Sequence, residues 1–435
     1  MQPVENVPMP PGPSETFVDD DLVVNLSDLP LVTRVLDGLQ IRWSTDLVEQ
    51  EPTLGLAKLT GLQGLTGRAS LVRAYHSAEI SRMEGESGRK FTELDTVLFG
   101  LRRYFAETFG GWVPELAKNR DVGPVLPQPG GAHKSMAVDA PRSLDHVPMS
   151  DVAVTAGAGV RIGVLDTPLF PNAALAGTIE LTDGGQWNPD APLVWKPWQG
   201  HATFVASRIL ERAPSATLVM RPALTSDTEP LSVWELARAM VRIAAPDDLD
   251  DLPPIQILNL SIGCRTADGR PPLVLARAVR ALRSDVLVVA AAGNHRETEH
   301  AAAPIWPAAL SDVVAVTATA EPESPGTPGS GFAANLPWIT CAAPGVRVPG
   351  AFIIGDVLVP SDTADPFALT VPPPVPVPFT GAALWSGTSF AAATVSGAVA
   401  ARMTGGLTAR KALDALLADP APDAVVRRYV YPAPR

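Results

Sequence analysis

The stretch from Leu384 to Met403, LWSGTSFAAATVSGAVAARM, constrains the fold more than any other part of the chain. After Trp385-Ser386-Gly387-Thr388-Ser389, the small residues Ala391, Ala392, Val395, Gly397, Ala398 and Ala401 recur at helical spacing. A face of small side chains lets a helix approach a sheet closely, so the pattern predicts a central, buried helix. Gly387 and Thr388 suit a tight turn that leaves the Ser389 hydroxyl at the helix N-terminus. There the free backbone N–H groups and the positive end of the helix dipole favour developing negative charge.

A serine so placed is a nucleophile candidate if a base and an oxyanion donor stand elsewhere in the chain. Val160-Arg-Ile-Gly-Val-Leu-Asp166 reads as an apolar strand ending in a carboxylate, and Gly200-His201-Ala-Thr-Phe-Val-Ala206 puts a histidine at the start of a small-residue helix. Val286-Leu-Val-Val-Ala-Ala-Ala-Gly-Asn294 is a buried strand ending in Gly-Asn. At these four places the sequence resembles the subtilisin-like serine proteases, which carry Asp, His, Asn and Ser in that chain order. The likeness spans about Val152 to Met403.

The resemblance implies roles. His201 would be the general base and later the acid, Asp166 would hold its tautomer, and Ser389 would attack the scissile carbonyl. The Asn294 side-chain amide and the Ser389 backbone N–H would form the oxyanion hole. Asn259-Leu-Ser261-Ile262-Gly263 matches the strand whose edge pairs with an extended substrate, and Ala291-Ala292-Gly293 would form the other wall of the specificity pocket. No cofactor is required by such chemistry. Calcium often stabilises relatives, but spacing reveals no ligand cluster, so no metal site is assigned.

Some positions depart from the family pattern. Pro168 stands where Gly is usual after Asp-Thr, Ala202 and Phe204 follow the histidine in place of Gly and His, and Ala393-Thr394 replace Pro-His after the serine. Cys264 replaces a common second Gly at the pocket and is expected to narrow its mouth. These residues flank the reacting groups without being one of them. An alternative reading is a catalytically silent subtilisin fold that serves as a peptide-binding or scaffolding module. Sedolisin-type acid peptidases share Ser-Gly-Thr-Ser but use a Glu base, and His201 and Asn294 speak against them.

With 435 residues the chain is long for one domain, and its 46% hydrophobic content suffices for a large core. A net charge of −12 argues against nucleic acid or an anionic membrane as the main partner and reads as a solubility feature, while a peptide or protein substrate is what the resemblance implies. The two cysteines, Cys264 and Cys341, lie in apolar segments and read as core residues. The first residues lack a basic region followed by an apolar run, from which a cytoplasmic location is expected. Oligomeric state is not legible.

Taken in order, residues 1–15 read as a proline-rich disordered tail. Residues 16–110 read as a small α+β region, a possible pro-segment or regulatory domain, with strands at Phe17 to Leu26 and Gln40 to Trp43 and helices at Leu31 to Leu39 and Thr92 to Phe109. Residues 111–150 read as a Pro/Gly-rich linker. From 151 to 435 apolar runs alternate with amphipathic helices, which predicts an α/β peptidase domain. It is expected to be a three-layer subtilisin-like fold around a mostly parallel sheet. Between Pro360 and Thr380, VPPPVPVP is expected to form a surface excursion rather than an interior strand.

Overall fold

The computed structural model describes residues 16–124, 140–175, 178–182, 184–190, 194–226, 231–244, 253–282, 286–295, 301–320, 332–333, 335–360, 373–403, 405–419 and 425–431. The tail, the middle of the Pro/Gly-rich segment and the first part of the proline-rich excursion lie outside these residues. Two compact units are distinguished: residues 1–122 with 231–241 and 264–281, and the remainder.

In the first unit the chain runs β1 (Phe17–Asn25), α1 (Leu29–Gly38), β2 (Val48–Glu51), β3 (Leu56–Leu59), α2 (Leu65–Tyr75), α3 (Ser77–Ser87), α4 (Glu93–Thr108) and β4 (Leu116–Pro124). Without α2 and α3 the order is β-α-β-β-α-β, and the strands pair as β4-β1-β3-β2, with every pair antiparallel. Leu22, Val24, Val32, Leu36, Leu59, Val97, Leu101 and Phe105 fill the space between sheet and helices. Thr92 starts α4 with a capping box: its hydroxyl accepts from Asp95 N–H, and the Asp95 carboxylate accepts from Thr92 N–H. The segment Gln40 to Trp43, expected to be a strand, contributes a single bridge from Arg42 to Gln63. Leu116–Pro124, expected to be linker, is a strand, because its alternating Leu116 and Lys118 pair with β1 before the proline ends the run.

The rest of the chain supplies β5 (Arg142–Leu144), β6 (Arg161–Asp166), β7 (Thr178–Leu181), α5 (His201–Arg212), β8 (Thr217–Pro222), β9 (Leu231–Ser232), α6 (Val233–Ala244) and β10 (Ile257–Leu260). Then follow β11 (Ile262–Gly263), α7 (Leu273–Ala281), β12 (Leu287–Ala291), β13 (Val314–Thr319), β14 (Cys341–Pro344), β15 (Val348–Val359) and β16 (Val375–Trp385). The chain closes with α8 (Thr388–Arg402), α9 (Ala409–Leu417) and β17 (Arg427–Arg428). By the division above, β9, α7 and most of α6 belong to the first unit, where β9 pairs with β4 and the Trp234 indole donates to Glu49 at 3.0 Å.

The main sheet has the order β17-β14-β13-β12-β10-β6-β8-β7, parallel except for the edge strand β17. Its central strands β10, β12 and β13 are largely apolar and buried along almost their whole length, as a sheet covered by helices requires. The chain leaves β6 toward β8 and β7 on one side, then returns to β10 and moves outward through β12, β13 and β14. The strand order therefore reverses between β6 and β10, and in such sheets the crevice outside the carboxyl ends at the reversal is where ligands bind.

Helix α8 packs on β10, β12, β13 and β14 and crosses α5. The small residues explain the closeness: a Cβ on Gly397 would lie 2.5 Å from the Ile209 carbonyl oxygen of α5. Almost every residue of α8 is buried, as its small-residue face predicts. A second sheet, β15-β16-β5, carries the chain up to Trp385. The prolines Pro376 and Pro378 fall where β16 pairs with β15 alone, because β5 meets β16 only at Ala382 to Leu384. Their missing N–H groups therefore leave no ladder unsatisfied.

Candidate active site

Register brings the first group of predicted residues into one row. Leu165 of β6 and Ala290 of β12 both pair with Leu260 of β10, so the residues that follow, Asp166, Ser261 and Ala291, sit side by side at the carboxyl ends of adjacent strands. This row lies at the strand-order reversal.

Asp166 and His201 meet. The imidazole Nδ1 is 2.7 Å from Asp166 Oδ1 and 2.9 Å from Oδ2, and both side chains are 1% exposed. A carboxylate at Nδ1 selects the tautomer with the proton there, which leaves Nε2 as the basic nitrogen. The loop between them is tied down on both sides. Thr167 N–H donates to Asp166 Oδ1 at 2.7 Å, and Ala202 N–H donates to the Thr167 hydroxyl oxygen at 3.2 Å. Thr203 closes a reciprocal pair with Phe170: its hydroxyl donates to the Phe170 carbonyl at 2.9 Å and accepts from the Phe170 N–H at 2.8 Å. Pro168 lies inside this loop and leaves Asp166 in place.

Ser389 is the second residue of α8 and fully buried. Its Oγ and His201 Nε2 are both buried without a hydrogen-bond partner. The imidazole centroid lies 5.5 Å from the ring of Phe390, the residue next to the serine, so the two candidate groups share one neighbourhood. Unpaired buried polar atoms are uncommon, and a catalytic role is one of the reasons a fold keeps them.

Asn294 joins this group through Thr388. Its carbonyl oxygen accepts from the Thr388 N–H and from the Thr388 hydroxyl, each at 3.0 Å. Gly293 N–H donates in turn to the Thr388 hydroxyl at 3.2 Å. With Oδ1 committed to Thr388, the N–H₂ end of the amide is turned the other way. Gly293 has φ of 110°, and a Cβ there would lie 2.5 Å from His295 Nδ1, so the turn that presents Asn294 requires glycine.

Ile262 and Gly263 form β11, an edge strand. Opposite them, antiparallel, lie Pro124 and Gly123, the last two residues of β4. Ser261, just before, is fully buried with an unpaired hydroxyl. Ala291 and Ala292 are buried at the end of β12, and Ala292 touches Leu336 and Ile339. Thr394, where relatives carry His, accepts from the buried Arg208 at 3.3 Å. Cys264 is 8% exposed, and burial pushes the Cys341 thiol up to about 12, leaving it an inert core side chain. Among the described residues no three His, Cys, Asp or Glu side chains gather to hold a metal, and no helix is long and apolar enough to cross a membrane. Sequence reasoning did not find the double grip of Thr388 or the rings around His201, since neither is a motif.

The model described as the Subtilase family matches residues 157–424, well over half of the chain. No curated protein matches. Among solved structures, fervidolysin from Fervidobacterium pennivorans, a keratinolytic enzyme related to subtilisin, aligns with a TM-score of 0.53 at 14% identity, over 93% of this chain and 58% of that one. The prenylagaramide maturation protease PagA aligns at 0.43 and 23% identity, over 60% and 82%. A cold adapted subtilisin-like serine proteinase aligns at 0.43 and 20%, over 64% and 88%. The fervidolysin alignment shows the subtilisin-like α/β fold, and the family match shows that this chain belongs to the subtilase family and is a subtilisin-like serine peptidase.

Proposed function

We propose that the chain is a serine endopeptidase that works through Asp166, His201 and Ser389 and an acyl-enzyme intermediate. The observation that supports this most is the His201 imidazole, gripped by Asp166 at Nδ1 while its buried Nε2 is unpaired beside the start of the helix that carries Ser389. In this reading Ser389 Oγ attacks the peptide carbonyl as His201 Nε2 takes its proton. The oxyanion is held by the Asn294 amide and the Ser389 N–H. The imidazolium then protonates the leaving amine, and a water molecule activated by the same histidine releases the acyl group.

The substrate is read as an extended peptide laid along Ser261, Ile262 and Gly263, with Ala291, Ala292 and Gly293 facing its side chain. Pairing of β11 with Gly123 and Pro124 supports this, because it is strand addition by the chain's own segment. We read the three-layer peptidase domain as lying within residues 151–435 and residues 16–110 as an α+β region that restrains it, with 111–150, which includes β4, between them in sequence. If deletion of 16–110 changes neither rate nor specificity, that restraint is absent.

A fluorophosphonate probe tests the catalytic reading. Labelling of wild type that vanishes in Ser389→Ala supports it, while absence of labelling under every condition favours a silent peptide-binding module. Incubation with a diverse peptide pool, followed by mass spectrometry of products, would identify the residues preferred around the cleaved bond.

A further inference from the structure

His201 is packed into a wall of aromatic rings. Trp385, the last residue of β16, stands nearly perpendicular to the imidazole with centroids 5.9 Å apart, and Phe390 lies tilted against it at 5.5 Å. The two rings touch each other at 5.0 Å. Behind them, Phe204 lies 4.3 Å from Phe390 and 5.7 Å from Trp385, and Phe352 lies 5.5 Å from Trp385. Trp385 is 5% exposed and the three phenylalanines are fully buried. The backbone is shaped around them: a Cβ on Gly200 would come 2.4 Å from the Phe352 ring, and one on Gly350 would come 2.9 Å from Phe204. Phe204 thus gives this wall a hydrocarbon floor.

Two physical effects follow. A ring hemmed in by rings has little room to turn about its outer torsion, so Nε2 keeps its direction while Asp166 holds Nδ1. The imidazolium formed when Ser389 gives its proton to Nε2 is a cation packed against two buried aromatic rings, a setting in which cation–π attraction acts on it. We propose that Trp385, together with Phe390, is a positioning residue of this peptidase: it fixes the plane of the His201 imidazole and stabilises the imidazolium of the transition state. The inference rests on the triad reading above.

The test compares Trp385→Phe, which keeps a ring, with Trp385→Leu, which keeps an apolar volume without one. Phe352→Leu serves as a packing control that leaves the rings on His201 in place. Readouts are kcat and KM on a cleaved peptide, and the rate of fluorophosphonate labelling per folded molecule. Trp385→Leu is expected to lower kcat about tenfold with KM within about twofold, and Trp385→Phe to recover most of the loss. Phe352→Leu should lower thermal stability with kcat within about threefold of wild type. Should Trp385→Leu fail to fold, Phe390→Leu removes the other ring and carries the same expectation. Equal losses in the Phe and Leu variants, an equal loss in Phe352→Leu, or a raised KM at unchanged kcat would each overturn the proposal. A wild type that neither cleaves nor labels removes the triad reading, and this inference with it. A labelled wild type with an unaffected Trp385→Leu removes the inference alone.

Discussion

Thr388 holds Asn294 by two donors, its backbone N–H and its hydroxyl, both 3.0 Å from the same carbonyl oxygen. The residue before the proposed nucleophile thus orients the amide proposed to receive the oxyanion. Ser389 and this amide are both tied to the first turn of α8, so a shift of that turn moves both.

Thr388→Val removes the hydroxyl and keeps the shape, and is expected to lower kcat about tenfold while Thr388→Ser retains most of it. Asn294→Ala should lower kcat by about 10²–10³ with little change in KM. If Thr388 acts through Asn294, adding Thr388→Val to Asn294→Ala costs little more. A double-mutant cycle in kcat/KM measures this coupling.

Asp166→Asn keeps the side-chain volume but no longer selects the productive tautomer, and kcat should fall by about 10⁴. Steady-state assays with a chromogenic peptide check this expectation.

Gly397→Ala places a methyl group 2.5 Å from the Ile209 carbonyl oxygen, a backbone atom that cannot swing aside. Destabilisation of about 1–3 kcal/mol is expected, visible as a lower Tm. A Tm equal to wild type would mean that α5 and α8 can separate without loss.

Glu84 of α3 receives Lys90 Nζ at 2.8 Å, Phe91 N–H at 2.8 Å and Arg73 at 2.9 Å. The Lys90 hydrogen bond first, then Phe91 N–H and Arg73, hold its carboxyl well below the usual 4.5, at about 2. A depressed carboxyl adds stability that is full above its unfolded value, so this contribution should fade as pH falls from about 4.5 toward 2. Denaturant titrations against pH should show that slope, and Glu84→Gln should flatten it while lowering stability at neutral pH.

Much of the peptidase part was legible because its signals are local. The apolar runs ending at Asp166 and Asn294, and the small-residue helix after Ser389, each needed a few adjacent residues to be recognised. The region before residue 110 was harder to read. Helices α2 and α3 bury only Leu65, Ala69, Ile80 and Glu84, and Leu71 and Tyr75 are exposed, so no buried apolar stripe marks them. Strand β4 was read as linker because the prolines and glycines beyond it dominate the composition there. The hairpin of β15 and β16 was obscured by prolines that are harmless on a one-sided strand.

The short motifs around Asp166, His201, Asn294 and Ser389 pointed, by resemblance, to the family and to the side chains that could perform the chemistry, and the alternation of apolar runs with amphipathic helices pointed to the α/β class. That Thr388 grips Asn294, that rings from β16 and α8 pack on His201, and that Gly123 and Pro124 lie along β11 became visible in the folded chain. The reason is physical: those contacts join residues far apart in the chain. They are fixed by close packing and strand register once the core has formed, and neither leaves a repeat in the residues that take part.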